Sequence, residues 1–91
     1  MTQHALTTLS NTEATRITPN GIHSGMDITL QNVNATAYVY IGGENVSTTD
    51  YGYRIAPDNA WSIELPGQDA LYAISDTDGA FVAMLQTGLE I

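Results

Sequence analysis

Two histidines, His4 and His23, are the only imidazoles in the chain, and there is no cysteine. A histidine can act as a general base near neutral pH. Neither stands with a Ser or an acidic residue in a recognisable nucleophile motif, so both read as solvated surface side chains. Asp76-Thr77-Asp78-Gly79 opens like a calcium loop. Such a loop needs further oxygen ligands at fixed later positions, and here Ala80, Phe81 and Val82 follow. A hairpin turn accounts for the Asp and Gly without a metal. Gly42-Gly43 lacks phosphate-loop spacing and reads as a turn. What remains is aromatic. Tyr38, Tyr40, Tyr51, Tyr53 and Trp61 could form a platform for a sugar or a protein partner, with Arg54 beside them. Trp61 reads more simply as core. Tyr and Arg are enriched at binding hot spots, so Tyr38, Tyr40, Tyr51, Tyr53 and Arg54 are the candidate partner-binding residues. No catalytic, cofactor-binding or metal-ligating residue is expected, and the chain does not read as an enzyme.

Charge narrows the partners. Arg16 and Arg54 are the only Lys or Arg residues, against ten carboxylates, for a formal charge of −8. Nucleic-acid binding needs clustered cations, and anionic lipid surfaces would repel this chain. Neither nucleic acid nor membrane is an expected partner. No apolar run approaches a membrane span, and no signal peptide is expected at the N-terminus. Asn34-Ala35-Thr36 and Asn45-Val46-Ser47 match a glycosylation pattern that matters only in a secretory compartment. Ninety-one residues make one domain of marginal core size. Without cysteines, oligomerisation or a larger partner is the expected source of extra burial.

The elements that position these residues alternate with period two. Met26, Ile28 and Leu30 oppose Asp27, Thr29 and Gln31, which predicts a half-buried strand ending near Asn32 and Asn34. Over Thr36–Ile41, Ala37, Val39 and Ile41 fit a core face. Tyr38 and Tyr40 share the other, where a second layer or a surface contact is expected. Val46 is the one anchor in Asn45–Thr49, and Asp50–Tyr53 reads as a turn. Pro57 suits a type I turn over Ala56–Asn59. Trp61, Ile63 and Leu65 then point inward, until Pro66-Gly67 stops the strand. Leu71–Ser75 and Ala80–Thr87 are apolar on both faces, as in a sandwich interior or a subunit interface, with Asp78-Gly79 between them as a hairpin signal. Upstream, Pro19-Asn20-Gly21 and Ser24-Gly25 mark turns. Residues 1–18 read as an N-terminal arm, a partly disordered tail or edge strands, with little to anchor a core, and 19–91 as the β domain. The expected fold is all-β, a single small β-sandwich or jelly-roll-like barrel with an extended N-terminal arm.

Three stretches carry a resemblance: Ile17–Asn34, Ala37–Leu65 and Asp69–Gly88. The Pro-Asn turn, the strand ending in Gln31-Asn32, the Tyr38-Val39-Tyr40-Ile41-Gly42-Gly43 run and Gly52-Tyr53-Arg54-Ile55-Ala56-Pro57 belong to it. So do Trp61-Ser62-Ile63-Glu64-Leu65 and the Leu71-Tyr72-Ala73-Ile74 strand with its closing turn. Together they resemble small virion proteins of tailed bacteriophages. The resemblance spans most of the chain and contains no catalytic signature. It implies a structural role in the virion through many-copy protein–protein binding. Capsid decoration, in which the chain binds and stabilises the major capsid shell from the capsid surface, comes first. The alternative is a tail, fibre or baseplate module that binds another virion protein or a host glycan. It further implies a homo-oligomer, with a trimer favoured, made in the host cytoplasm.

Overall fold

A computed structural model describes residues 3–18, 26–65 and 70–87, without the side chains of Gln3, Met26 and Leu65. Among the described residues eight strands form: β1 Gln3–Thr8, β2 Thr15–Arg16, β3 Met26–Asn32, β4 Val39–Gly42, β5 Tyr53–Ile55, β6 Ala60–Leu65, β7 Tyr72–Ser75 and β8 Phe81–Thr87. They make two four-stranded antiparallel sheets, a front sheet in the order β1-β8-β3-β6 and a back sheet in the order β2-β7-β4-β5.

The order has a simple origin. Four pairs, β1·β8, β2·β7, β3·β6 and β4·β5, are those of one long antiparallel ribbon folded back on itself between β4 and β5. The ribbon then wraps, and β3·β8 and β4·β7 zip its turns together. A wound ribbon of eight strands in two sheets is a jelly roll. The sandwich expected from the alternation is therefore present. Among its connections only β4 to β5 stays within one sheet, and every other one crosses between sheets.

The core fills the gap between the sheets. Ile28, Leu30, Val82 and Met84 come from the front, and Val39, Ile41, Ile55 and Ala73 from the back. Leu9 and Ile17 join them, so residues 3–18 are not short of core anchors. The sparse apolar content upstream hid this, because two well-placed side chains suffice at the ends of edge strands. β1 and β2 form the edge of one sheet each, and the chain between them turns the corner against the β7–β8 connection. Leu9 N donates to Ala80 O, Gly79 N to Leu9 O and Ser75 N to Ser10 O.

Several local expectations are corrected. Asp78-Gly79 does not close a hairpin, because β7 and β8 lie in different sheets. It sits in a turn over Thr77–Ala80 with Gly79 at φ +83°. The turn at Ala56–Asn59 is type II in character rather than type I, because Asp58 at its third position has φ +63°. The turn expected at Asp50–Tyr53 lies at Ser47–Asp50, where Ser47 Oγ accepts from the amides of Thr49 and Asp50, and Tyr53 already belongs to β5. Ile63 has core parity but is 37% exposed, because β6 is an edge strand. Trp61 is half-buried and packs against the core rather than within it. The turn signals of Pro19–Gly21, Ser24-Gly25 and Pro66-Gly67, and His23, lie outside the described residues.

At the crossover end one side chain ties the layers together. Asn32 is fully buried. Its Nδ2 donates to Ala37 O at 2.8 Å and Ile55 O at 2.9 Å. Its Oδ1 accepts from Asn34 N at 3.0 Å and Asn34 Nδ2 at 2.7 Å. Asn34 in turn holds β8, donating to Phe81 O at 2.8 Å and accepting from Phe81 N at 3.0 Å. Removing Asn32 strands two buried carbonyls and releases Asn34. Asn32→Ala is expected to cost about 3 kcal/mol or more, read as a lower urea midpoint at unchanged slope.

Gln86 is the opposite case. It is fully buried on β8, and among the described residues neither its Oε1 nor its Nε2 has a hydrogen-bond partner. An unsatisfied buried amide costs about 1–3 kcal/mol. Gln86→Met keeps the length and removes the polar atoms, so it should gain about 1 kcal/mol. A scanning calorimeter would read this as a melting temperature higher by about 4–8 °C.

Candidate functional site

The aromatic and arginine side chains singled out from the sequence divide between two places. β4 alternates, so Val39 and Ile41 point into the core while Tyr40 points out of the back sheet. Arg54 stands opposite Tyr40 on β5 and shares that outer face. The guanidinium carbon of Arg54 lies 5.1 Å from the centre of the Tyr38 ring. Tyr51, from the ribbon tip, packs on Tyr40 with ring centres 4.8 Å apart. Tyr38, Tyr40, Tyr51 and Arg54 are therefore one cluster on the outside of the back sheet. Tyr53 is not part of it. Its parity turns it to the open side of the sandwich, where its ring stacks on Trp61 at 5.1 Å and 18°. That stack bridges β5 of one sheet and β6 of the other.

The second layer expected over Tyr38 and Tyr40 is the chain's own ribbon tip. Val46 folds back onto the back sheet and forms a small outer core with Tyr40 and Ile74, flanked by Ala14, Tyr38 and Tyr72. Gly42 permits this. A Cβ there would stand 3.1 Å from Val46 Cγ2, so only a residue without a side chain fits at ordinary spacing. Tyr40 is thereby buried, whereas Tyr51, Tyr53 and Arg54 are exposed. Tyr72 belongs to the cluster and was not singled out. Its alternation with Ala73 was visible, but only the pairing of β7 with β4 brings it here.

Chemically the cluster presents phenol rings and one guanidinium. The hollow inside the ribbon tip, lined by Gly43, Glu44, Val46, Asp50, Tyr51 and Gly52, holds about 200 Å³ and is wide open. Ligand pockets run to about 300–1,000 Å³ and enclose their ligand. Asp76, from the calcium-like stretch, is committed to the turn. Its Oδ1 accepts from Tyr38 N at 3.1 Å and from the Thr77 hydroxyl at 3.2 Å. Among the described residues no three His, Cys, Asp or Glu side chains are grouped to hold a metal. No described helix is long and apolar enough to cross a membrane.

The other outer face carries a feature that the alternation only half disclosed. On β8, Val82 and Met84 are buried, while Phe81 and Leu85 are 41% and 44% exposed. Leu6 on β1, 61% exposed, stands opposite Ala83 between them. Of the two readings for the doubly apolar β7 and β8, interior and interface, β7 has its outer face covered by the ribbon tip and β8 does not. Strands β1 and β8 carry no Asp, Glu, Lys or Arg, so the strip is uncharged apart from any charge on His4.

Comparison of the chain with protein-family models, with curated proteins and with solved structures gives no match.

The Tyr53–Trp61 stack generates a prediction. Trp61 is the only tryptophan. Tyr53→Ala uncovers it, so its emission should shift to the red with a stability loss of about 1 kcal/mol. Arg54→Ala removes only an exposed cation–π contact of about 0.5–1 kcal/mol and should leave the emission where it was.

Proposed function

We propose that this protein is a structural component of a tailed-bacteriophage virion, foremost a capsid decoration protein that binds and stabilises the major capsid shell from its outer surface. The observation that carries the reading is the uncharged strip of Leu6, Phe81 and Leu85 on the front sheet. Contiguous exposed apolar surface on a small domain marks an interaction site. On a chain of −8 the strip's own strands carry no carboxylate, the front-sheet pair Asp27 and Glu64 standing beside it on β3 and β6. The jelly roll is common among viral capsid domains, which supports the reading by analogy of fold. The resemblance of Ile17–Leu89 to small phage virion proteins supports it independently.

The mechanism is mass action. A ligand that binds the assembled shell and not its dissociated parts stabilises the shell by RT ln(1 + [L]/Kd), about 2.7 kcal/mol at a hundredfold excess over Kd. Rigid sheets present the strip at little conformational cost, so binding energy is not consumed in ordering it.

The second reading is a tail, fibre or baseplate accessory module. The exposed rings of Tyr51 and Tyr53 favour it, because such rings suit a sugar face or another virion protein. Immuno-labelling of intact virions distinguishes head from tail directly.

The decoration reading is tested with shells of the parent phage assembled without this protein. Added wild-type chain should bind saturably and raise the shell's melting temperature. Leu6→Asp combined with Leu85→Asp should bind at least about tenfold more weakly while keeping a native circular-dichroism spectrum. Absence of binding by the wild-type chain, or full binding by the double variant, would overturn the reading.

A further inference from the structure

Charge is sorted between the two sheets. The back-sheet strands hold both arginines and no carboxylate, whereas the front-sheet strands hold Asp27 and Glu64 and no Lys or Arg. Asp27 and Glu64 are directly opposite each other across β3 and β6. Both are exposed, and both lie on the outer face, since Ile28 and Leu30 take the inner one. Like charges in that position destabilise a sheet, and among the described residues no cation relieves them. Arg54 faces the opposite direction, exposed and held over Tyr38, with no carboxylate partner among the described residues. An exposed guanidinium and an exposed pair of carboxylates are complementary in charge.

We propose that the back face of one copy docks on the front face of a second copy, with Arg54 reaching Asp27 and Glu64. Front against front would oppose carboxylate pairs, and back against back would oppose arginines, so front to back is the favoured pairing. The apolar parts agree with it. Leu6, Phe81 and Leu85 on the front lie in the same face as the carboxylates, and Tyr38 borders Arg54 on the back. The two longer extents of the molecule are 35 and 24 Å, which bound a face of the order of the ~800 Å² per partner that a stable interface takes.

The contact is head-to-tail, not two-fold. Because the two faces look in opposite directions, copies add along a line, giving dimers, trimers and longer stacks. The end copies keep one free face of each kind, so docking on another virion protein and stacking compete for the same surfaces. Stacking is a property of the isolated chain and is tested apart from any shell.

Sedimentation velocity across a concentration series tests it. Wild-type protein should populate a ladder of species. Arg54→Glu should weaken association at least about tenfold, and so should Asp27→Arg with Glu64→Arg. All three changes in one chain should restore it. Each variant is checked for native circular dichroism. Since the chain has no cysteine, a second measurement mixes, under air oxidation, a Ser62→Cys preparation with a Tyr38→Cys one, changes that leave Arg54, Asp27 and Glu64 in place. Disulfide-linked heterodimers are expected over homodimers. A wild-type chain that stays monomeric at about millimolar concentration, single-face reversals that associate as tightly as wild type, failure of the triple variant to recover, or a predominance of homodimers of either cysteine variant would each overturn the proposal.

Discussion

The bonds made by Asn32 are the constraint on which the rest of the molecule depends. A jelly roll of this size has two thin sheets and little core, and its sheets are joined mainly by connections that cross the gap. Crossing exposes backbone carbonyls to an apolar interior, where leaving them unpaired costs about 1–3 kcal/mol each. One amide answers this by donating to Ala37 O on the way into β4 and Ile55 O on the way out of β5. Its oxygen meanwhile fixes Asn34, which grips β8 at Phe81. Four strands are thus registered by two asparagines. Ser75 repeats the device on a smaller scale, donating to Tyr38 O at 2.9 Å and accepting from Thr77 N at 3.2 Å.

Both candidate surfaces are consequences of that registration. The arginine–tyrosine cluster exists because β4 is centred between β5 and β7, which brings Arg54, Tyr40 and Tyr72 from distant parts of the chain onto one face. The apolar strip exists because β8 lies between β1 and β3, so that Leu6 falls beside Ala83. The ribbon tip covers the middle of the back face and, among the described residues, nothing comparable covers the front. The two faces therefore differ in kind: one sets Arg54 among tyrosine rings beneath the ribbon tip, the other carries the apolar strip of Leu6, Phe81 and Leu85 with a carboxylate pair on the neighbouring strands.

Much of the fold was legible in the sequence because the alternation of period two is a property of single strands. β3, β4, β6 and β8 could be placed from the parity of Ile28, Leu30, Val39, Ile41, Trp61, Val82 and Met84 alone. The pairing was not legible, since it depends on the other strand. Asp78-Gly79 looks the same whether it closes a hairpin or carries the chain from one sheet to the other, and only the partners of β7 and β8 decide. Asn32 read as an end-marker because asparagine is common there, yet it holds the same parity as Ile28 and Leu30, and that was the available sign of burial. Of the candidate site, the grouping of Tyr38, Tyr40, Tyr51 and Arg54 was within reach because β4 and β5 are neighbours along the chain. Tyr53 was misplaced with them because adjacency in sequence places residues 53 and 54 on opposite faces of a strand.

The ribbon has one more consequence, in the order of assembly. The β4·β5 hairpin joins residues close in sequence, whereas β1 can pair only with β8, the last of the described strands to be synthesised. Distant pairs carry the larger loop-closure cost. The pairing thus grows outward from the connection between β4 and β5. A nascent chain lacks the β1·β8 seam until Thr87 has left the ribosome, and Leu6 waits longest for its neighbours. The edge that completes the fold also carries the exposed apolar strip, so a single late step both closes the front sheet and brings Leu6 beside Phe81 and Leu85.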